Sequence, residues 1–497
     1  MKRRVRVTGW GQVTQRKEQT EGLLDPLGLM AEAARRAADV SGSRDALRRL
    51  DAVVVVKPMS RSYPDAAAQL ARALGASPRC TRVSGIGGNS PQALVSQAAG
   101  MIARGELDRV LVAGAEAYYP RRGRPAGESQ LFQGLPEDAG DDDRVGATPL
   151  EERHGIRLPV HGFPLFETAL WAESGQDRDS YLRQLGDLWA SFSRVAASHP
   201  NAWTRTPRTA EEIVTPTGTN RPIAFPYTKF LTSLVSVDLG AAVLLAAEEG
   251  GARPDSGGRR PVYFLAGSRT VDRQRFLVEK SSFTGSTALA AAAERALRRA
   301  GMEVGEVECF DLYSCFPSSV TIARKMLRLS GGDPRPLTLT GGLGFFGGPG
   351  NNYSLHAIAT LCEAIAAGAR ENGMVTALGW FLHKHAAGLY GATPGDTDPG
   401  AQDTEDALAP PTGAQPVPVA PEPTGTGTIE TYTIVHGRDG SPGYGVLYGR
   451  TDKGLRFVAR PPADPTVFQE LTERHQVGRS VHLRHDRRTG RNAAELA

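Results

Sequence analysis

The residues best placed to do chemistry gather around two glycine-rich turns. Gly341–Tyr353 reads GGLGFFGGPGNNY and opens directly into a helical pattern over Ser354–Gly368. Such a turn brings backbone close to a ligand and aims helix-start amides at it. Yet it holds no acid, base or nucleophile where a catalytic turn would present one. A second turn, GIGGN at Gly85–Asn89, precedes another helical pattern, Gln92–Ala103. Asn89, Ser90, Asn351 and Asn352 stand at helix starts, where such side chains ordinarily cap free amides; the alternative is donation to a ligand. Tyr313 ends a strand pattern and leads into a helix, where a tyrosine can donate a hydrogen bond, or exchange a proton if its pKa is lowered. Tyr353 begins the second helix, placed either to reach the same cavity or to pack. Cys80, Cys309, Cys315 and Cys362 show no CxxC spacing, which argues for reduced thiols and no metal site. GxxxxGK[ST], HExxH and GxSxG are missing, and neither a P-loop nor nicotinamide binding is expected.

The elements that must position these residues alternate. Strand patterns fall at Val5–Thr8, Ala52–Val56, Arg82–Gly85, Val110–Ala113 and Ala242–Ala246, and again at Tyr263–Ala266, Glu308–Leu312, Leu337–Thr340, Val375–Leu378 and Ala387–Tyr390. Helical patterns lie between them, which predicts an α/β body with helices covering mostly parallel sheets. The stretch 118–235 interrupts the first half and is expected to form a lid over the site. Residues 393–427 hold many prolines and acids, no Lys or Arg and no aromatic, so a disordered linker is expected there. The tail, 428–497, alternates in short runs with turn signals, as a small β-barrel does. At 497 residues, 40% apolar, 23% charged and net +4, the chain reads as soluble and globular, without the basic excess that would point to nucleic acid. No run is long and apolar enough to span a membrane, and the basic start MKRRVRVTGWGQV lacks the apolar core of a signal peptide, so cytoplasm is expected.

There is also an internal echo. Displaced by 263 positions, Gly87 falls on Gly350, Asn89 on Asn352, and IARG on IAAG. Both copies read glycine turn, amide residue, helix and apolar strand, which predicts a duplicated domain. Two such halves, a glycine loop in each and a large insertion in the first resemble the thiolase superfamily over roughly residues 1–392. The resemblance is closest to the sterol-carrier-protein-x branch and to actinobacterial acetyl-CoA acetyltransferase-like proteins. DLYSCFP (Asp311–Pro317) looks like that branch's E-V-H-D-C-F-S, GGLGFFGGPG like G-G-x-x-x-x-G-H-P-x, and LHKHAAGLYGA (Leu382–Ala392) like C-L-Q-H-N-x-G-x-G-G-A. The implied fold is a duplicated thiolase fold, 1–260 and 261–392, followed by an OB-like barrel. The barrel is similar to small acyl-CoA-associated proteins that partner thiolase-like enzymes, and fusion suggests that it covers the substrate entrance. Those partners often carry a zinc ribbon, but this tail has no cysteine, so zinc is not implied.

The resemblance also implies what is missing. The family's nucleophilic cysteine falls on Gly87, or on Gly88 if the register slips. Its activating histidine falls on Gly348, its second cysteine at about Leu382, and its oxyanion-hole histidine or asparagine on Tyr313. Glycine holds no acyl group and leucine moves no proton, so an acyl-cysteine mechanism is not expected. Tyr313 becomes the acid–base or enolate-stabilising candidate, with Tyr353 and His385 as further catalytic candidates. Gly87, Gly88, Asn89, Gly348 and Asn352 are expected to bind substrate or its oxyanion. Cys315 is expected in the core or the pocket wall, and Arg121, Arg122 and Arg124 either meet coenzyme A phosphates or are merely solvated. The implied substrate is an acyl-CoA or related thioester, with no bound cofactor and a homodimeric assembly. The first expected activity is a divergent acyltransferase-class reaction without an acyl-cysteine. A retro-aldol lyase using tyrosines and a catalytically silent CoA-binding or scaffold protein are the alternatives.

Overall fold

The computed structural model describes residues 3–120, 146–248 and 258–497. Arg121, Arg122 and Arg124 lie outside the described residues. The first half runs β1 (Val5–Thr14), α1 (Pro26–Val40), β2 (Ala52–Val55), α2 (Ala66–Ala73), β3 (Cys80–Val83), α3 (Ser90–Ala103) and β4 (Arg109–Ala117). The insertion contributes α4 (Pro149–Arg153), α5 (Pro159–Ser174), α6 (Arg178–Ser198), α7 (Ala210–Val214), β5 (Pro222–Ala224) and β6 (Tyr227–Thr228), and β7 (Asp238–Ala247) closes the half. The second half holds β8 (Tyr263–Val271), α8 (Thr287–Ala300), β9 (Phe310–Asp311), α9 (Pro317–Met326), α10 (Gly342–Phe345), α11 (Tyr353–Ala366), β10 (Asn372–Gly379) and β11 (Lys384–Gly391). After α12 (Pro399–Leu408) come β12 (Gly425–His436), β13 (Pro442–Thr451), β14 (Arg456–Ala459), α13 (Pro465–Glu473), β15 (Ser480–Asp486) and β16 (Arg491–Leu496).

The duplication is visible in the element bounds. One offset of 263 residues relates Ser90 to Tyr353, Ala103 to Ala366 and Arg109 to Asn372, so α3 and α11 match end to end. The body strands form one nine-stranded sheet in the order β3-β2-β4-β7-β1-β8-β11-β10-β9, and the two halves meet at β1 and β8. The sheet is not mostly parallel, as the alternation suggested. Only β2–β3, β2–β4 and β9–β10 are parallel. The remaining neighbours are antiparallel. The reason is connectivity: β10 and β11 are joined by a short turn that can only make an antiparallel pair, and β7 returns from the insertion against β4. The expected strand at Leu337–Thr340 is not a strand, although Pro336 and Leu337 carbonyls still accept from Phe310 and Leu312 amides at 2.9 Å.

The 393–427 segment is not disordered as expected. Asp398 caps α12 by accepting from the Gly400 and Ala401 amides. The acids that promised solvation instead meet cations of α8: Arg299 pairs with Asp406 at 2.9 Å and Arg295 pairs with Asp406 at 3.0 Å. The C-terminal strands form a sheet ordered β14-β13-β12-β15-β16. It curls until its ends meet, where the Arg460 amide donates to Asn492 and the Ala494 amide donates to Arg460, both at 2.9 Å. This sheet is continuous with the insertion, because β5 pairs with β12 at Ala224 and Val435. Its Val446, Tyr448 and Val458 belong to the same apolar cluster as Phe163 and Phe166 of the insertion and Phe283 of the second half.

Candidate active site

The helix starts of α3 and α11 meet at the centre of the body. The Gly87 amide donates to Asn351 Oδ1 at 3.0 Å, and Ser354 Oγ donates to the Gly88 carbonyl at 3.1 Å. Asn351 also donates to the Lys57 carbonyl at 3.2 Å, so it staples the two halves. Beside this junction opens a cavity of about 1170 Å³. Of the expected site residues, Gly87, Gly88, Gly348 and Tyr313 line it.

Tyr313 follows β9, and its backbone is pinned at both ends. Its amide donates to Thr376 Oγ1 at 2.9 Å, and Ser319 Oγ donates to its carbonyl at 3.0 Å. Its side chain crosses to Gly88. A Cβ on Gly88 would stand 2.1 Å from the Tyr313 hydroxyl and 2.6 Å from the Leu378 carbonyl oxygen. Tyr313 was assigned to the family's histidine slot, yet its hydroxyl occupies the space where a side chain at Gly88 would begin. That hydroxyl has no hydrogen-bond partner among the described residues. Burial pushes its pKa up, so it is a proton donor and a poor base. Gly348 is different: a Cβ there would meet its nearest atoms, Ser233 Cβ and Leu343 Cδ2, at 3.4 and 3.5 Å, which is ordinary contact. The tyrosine closes the space at Gly88, the second of the two positions that the resemblance gives to the cysteine, while Gly348 remains open.

Several expected site residues do not reach the cavity. Tyr353 is buried behind Tyr313, edge-on to its ring at 5.6 Å between centroids. Its hydroxyl donates to Asp311 Oδ1 at 2.8 Å and lies 2.6 Å from Thr340 Oγ1, so it is consumed in a buried network. Burial raises the pKa of Asp311, while the Leu339 and Thr340 amides and the hydroxyls of Tyr353 and Thr338 oppose that rise. His385 lies within β11 and contacts the α8 cap Ser286 at 3.0 Å; burial holds its pKa down to about 3. Asn89 and Asn352 each begin a helix without capping it. Asn352 donates to the Gly114 carbonyl at 2.7 Å. Asn89 lines a second cavity of about 390 Å³, which Ile86 separates from the first. The side-chain oxygens of both asparagines are buried without a partner. Leu382 is buried behind the wall, with its carbonyl accepting from Lys280 Nζ at 3.2 Å, while Trp380 lines the cavity. Cys315 is a pocket-wall thiol as expected, with its pKa pushed up to about 12 by burial.

Sequence reasoning missed three features. His161, near the start of α5, lines the cavity with an unpartnered Nδ1, and burial lowers its pKa to about 4, so it is a neutral imidazole and a weak base. Its signal was weak: one of three histidines in the insertion, with no motif around it. Glu116, at the end of β4, is buried beside Gly350 and accepts from the Met59 and Ser60 amides at 2.8 and 2.7 Å; burial raises its pKa to about 7. The third is a set of lining cations, Arg205, Arg208, Arg221, Lys229 and Arg438, too dispersed in sequence to form a basic motif. No cluster of His, Cys, Asp or Glu among the described residues could hold a metal ion. No described helix is long and apolar enough to cross a membrane.

Two fused sheet-and-helix halves, a glycine turn at each central helix and an insertion in the first half define a thiolase fold. The structure is similar to that of a monomeric SCP2-thiolase-like protein type 1 from Mycobacterium smegmatis, with 30% identity, 99% of each chain covered and a TM-score of 0.81. The chain belongs to this SCP2-thiolase-like protein type 1 family. Residues 411–488 match the model of the thiolase-like protein type 1 additional C-terminal domain. Two further structures share the fold. An Ltp2-ChsH2(DUF35) aldolase has 18% identity, 80% of this chain and 98% of that one covered, and a TM-score of 0.60. An acetyl-CoA acetyltransferase from Syntrophomonas wolfei has 15% identity, 79% and 100% covered, and a TM-score of 0.58. Comparison with curated proteins gives no match.

Proposed function

We propose that the chain binds an acyl-CoA or related thioester in the large cavity and polarises its carbonyl with the Tyr313 hydroxyl, without forming an acyl-cysteine. It would then be a divergent acyltransferase-class protein acting next to the thioester. The observation that carries this reading is the position of the Tyr313 hydroxyl, 2.1 Å from where a Gly88 side chain would start. The space at Gly88 is taken by a donor that faces a cavity and has no other described partner. Such a donor stabilises negative charge developing on a carbonyl oxygen. Neutral His161, on the same cavity, offers an unpartnered ring nitrogen for a hydrogen bond to the substrate. Convergence of the Tyr353 and Tyr313 hydroxyls would favour the retro-aldol alternative, and the Tyr353 hydroxyl instead donates to Asp311. A cavity plugged by Trp380 and Leu382 would favour a silent protein, and only Trp380 lines it. We take the chain to be a monomer, as the Mycobacterium smegmatis relative is described to be, in place of the homodimer that the wider resemblance implies.

The test is incubation with a panel of acyl-CoA thioesters, followed by mass spectrometry of protein and products. Turnover without a protein adduct is expected, with Tyr313→Phe slower by about a hundredfold, the scale of one lost acid–base or oxyanion donor. A stable acyl adduct on Cys315, or full activity in Tyr313→Phe, would overturn the assignment.

A further inference from the structure

Besides Lys17, which pairs with Glu18 at 3.8 Å, the cations of the large cavity come from two distant parts of the chain. Arg205, Arg208, Arg221 and Lys229 belong to the insertion, and Arg438 to the turn between β12 and β13. No Asp or Glu lines the cavity among the described residues. None of these five cations forms an ion pair with a described carboxylate. An uncompensated positive cluster repels itself, and a concave wall focuses its field, so the arrangement suits an anion held within it. The side chains are also restrained. The Arg208 guanidinium sits over the Phe230 ring at 3.9 Å. Arg221 donates to the Pro222 carbonyl at 3.1 Å and to the Gly437 carbonyl at 3.4 Å, which ties it to the C-terminal turn. His436, on that turn, also lines the cavity, and its Nδ1 is buried without a partner. The backbone pair of Ala224 and Val435 holds the two segments in register.

We propose that this seam is a phosphoryl-binding subsite shared between the insertion and the C-terminal domain, with Arg221 and Arg438 gripping the anion from opposite sides. The additional domain then takes part in ligand recognition directly. The inference rests on the thioester reading only for the source of the phosphoryl groups, the nucleotide end of coenzyme A. Arginine suits the role because its planar fork pairs with phosphate oxygens bidentately.

Isothermal titration of the whole chain and of Arg438→Gln tests it, with coenzyme A, adenosine 3′,5′-bisphosphate and pantetheine as probes. Arg438 is exposed and has no ion pair, so the variant is expected to melt as the parent does. Loss of one charge-assisted phosphate contact at a partly exposed mouth is expected to weaken coenzyme A and the bisphosphate by about fivefold, and pantetheine not at all. Equal coenzyme A affinity in both proteins would overturn the subsite and leave the thioester reading standing. Arg438-dependent binding of the bisphosphate, with no binding of coenzyme A or pantetheine, would keep the subsite and sink the thioester reading. No binding of either phosphate probe to the parent protein would overturn the subsite.

Discussion

Gly88→Ala tests the contact between Tyr313 and Gly88, one of the two positions that the resemblance gives to the nucleophile. The new Cβ would stand 2.1 Å from the Tyr313 hydroxyl oxygen and 2.6 Å from both Tyr313 Cζ and the Leu378 carbonyl oxygen. The tyrosine can swing only by leaving a buried place, and the carbonyl belongs to β10 and cannot swing. Overpacking of this kind costs about 1–3 kcal/mol, and the backbone contact argues for the upper part of that range. Tyr313→Ala by itself should cost roughly 3–5 kcal/mol as a large-to-small change in a packed site. Combined, the two should cost less than their sum by about 1–2 kcal/mol, because the alanine at 88 then meets only the Leu378 oxygen. Urea unfolding followed by tryptophan fluorescence on the parent, both single variants and the double variant gives this coupling. Gly348→Ala is the control: its Cβ meets nothing closer than 3.4 Å, so it should be neutral within about 0.5 kcal/mol or slightly stabilising. Strict additivity of Gly88→Ala and Tyr313→Ala, or equal costs at 88 and 348, would refute the occupation of the space at Gly88 by Tyr313.

Further outcomes follow from buried groups. The pKa of Glu116 is raised to about 7 in the folded chain, so the folded state holds a proton that the unfolded state has released between about pH 4.5 and 7. Its contribution therefore falls as pH rises through that window, by something on the order of 3 kcal/mol, and Glu116→Gln should flatten the difference in urea midpoints between pH 5 and pH 7.5. His161, His199 and His356 run the other way. Burial lowers their pKa to about 4, 4 and 3, so the unfolded chain takes up protons that the folded chain refuses, and stability should drop as pH falls below about 6.5. His356→Gln should lessen that drop, and an unchanged acid limb would count against its neutral burial. Asp406→Asn removes one of the two carboxylates paired with Arg299, which keeps Glu405 at 2.6 Å, and should cost roughly 1.5–3 kcal/mol; limited proteolysis should then cut within 399–412, where the parent resists.

The α/β alternation, the duplication and the central helices were legible because they rest on local periodicity and on a repeat that preserves both bounds of α3 and α11. Gly88, Gly348 and Tyr313 were legible through motif position alone. Which of the two glycines is filled was not, because that depends on how far the Tyr313 side chain reaches across the sheet. Tyr353 and His385 misled for a shared reason: a polar side chain at a helix start or in a strand reads the same whether it faces a cavity or a buried partner such as Asp311 or Ser286. The 393–427 segment misled because its acids looked solvated, and the arginines that neutralise Asp406 lie a hundred or so residues earlier in α8. The cavity's cations stayed hidden because Arg221 and Arg438 become neighbours only through the pairing of Ala224 with Val435.

That same pairing sets an order of events during synthesis. The insertion leaves the ribosome some two hundred residues before β12, the strand that its β5 must join. Phe163, Phe166 and Phe283 must wait for Val446, Tyr448 and Val458 to complete their shared apolar cluster. The Arg456 side chain is likewise buried against the Lys280 carbonyl and Glu430, so the body's second half closes on residues made well after it. A chain stopped after α12 would leave Phe283 without Tyr448 and Phe225 without Tyr432 against their rings. The cavity, whose wall includes Val435, His436 and Arg438, is therefore complete only once β12 and the turn after it have been made.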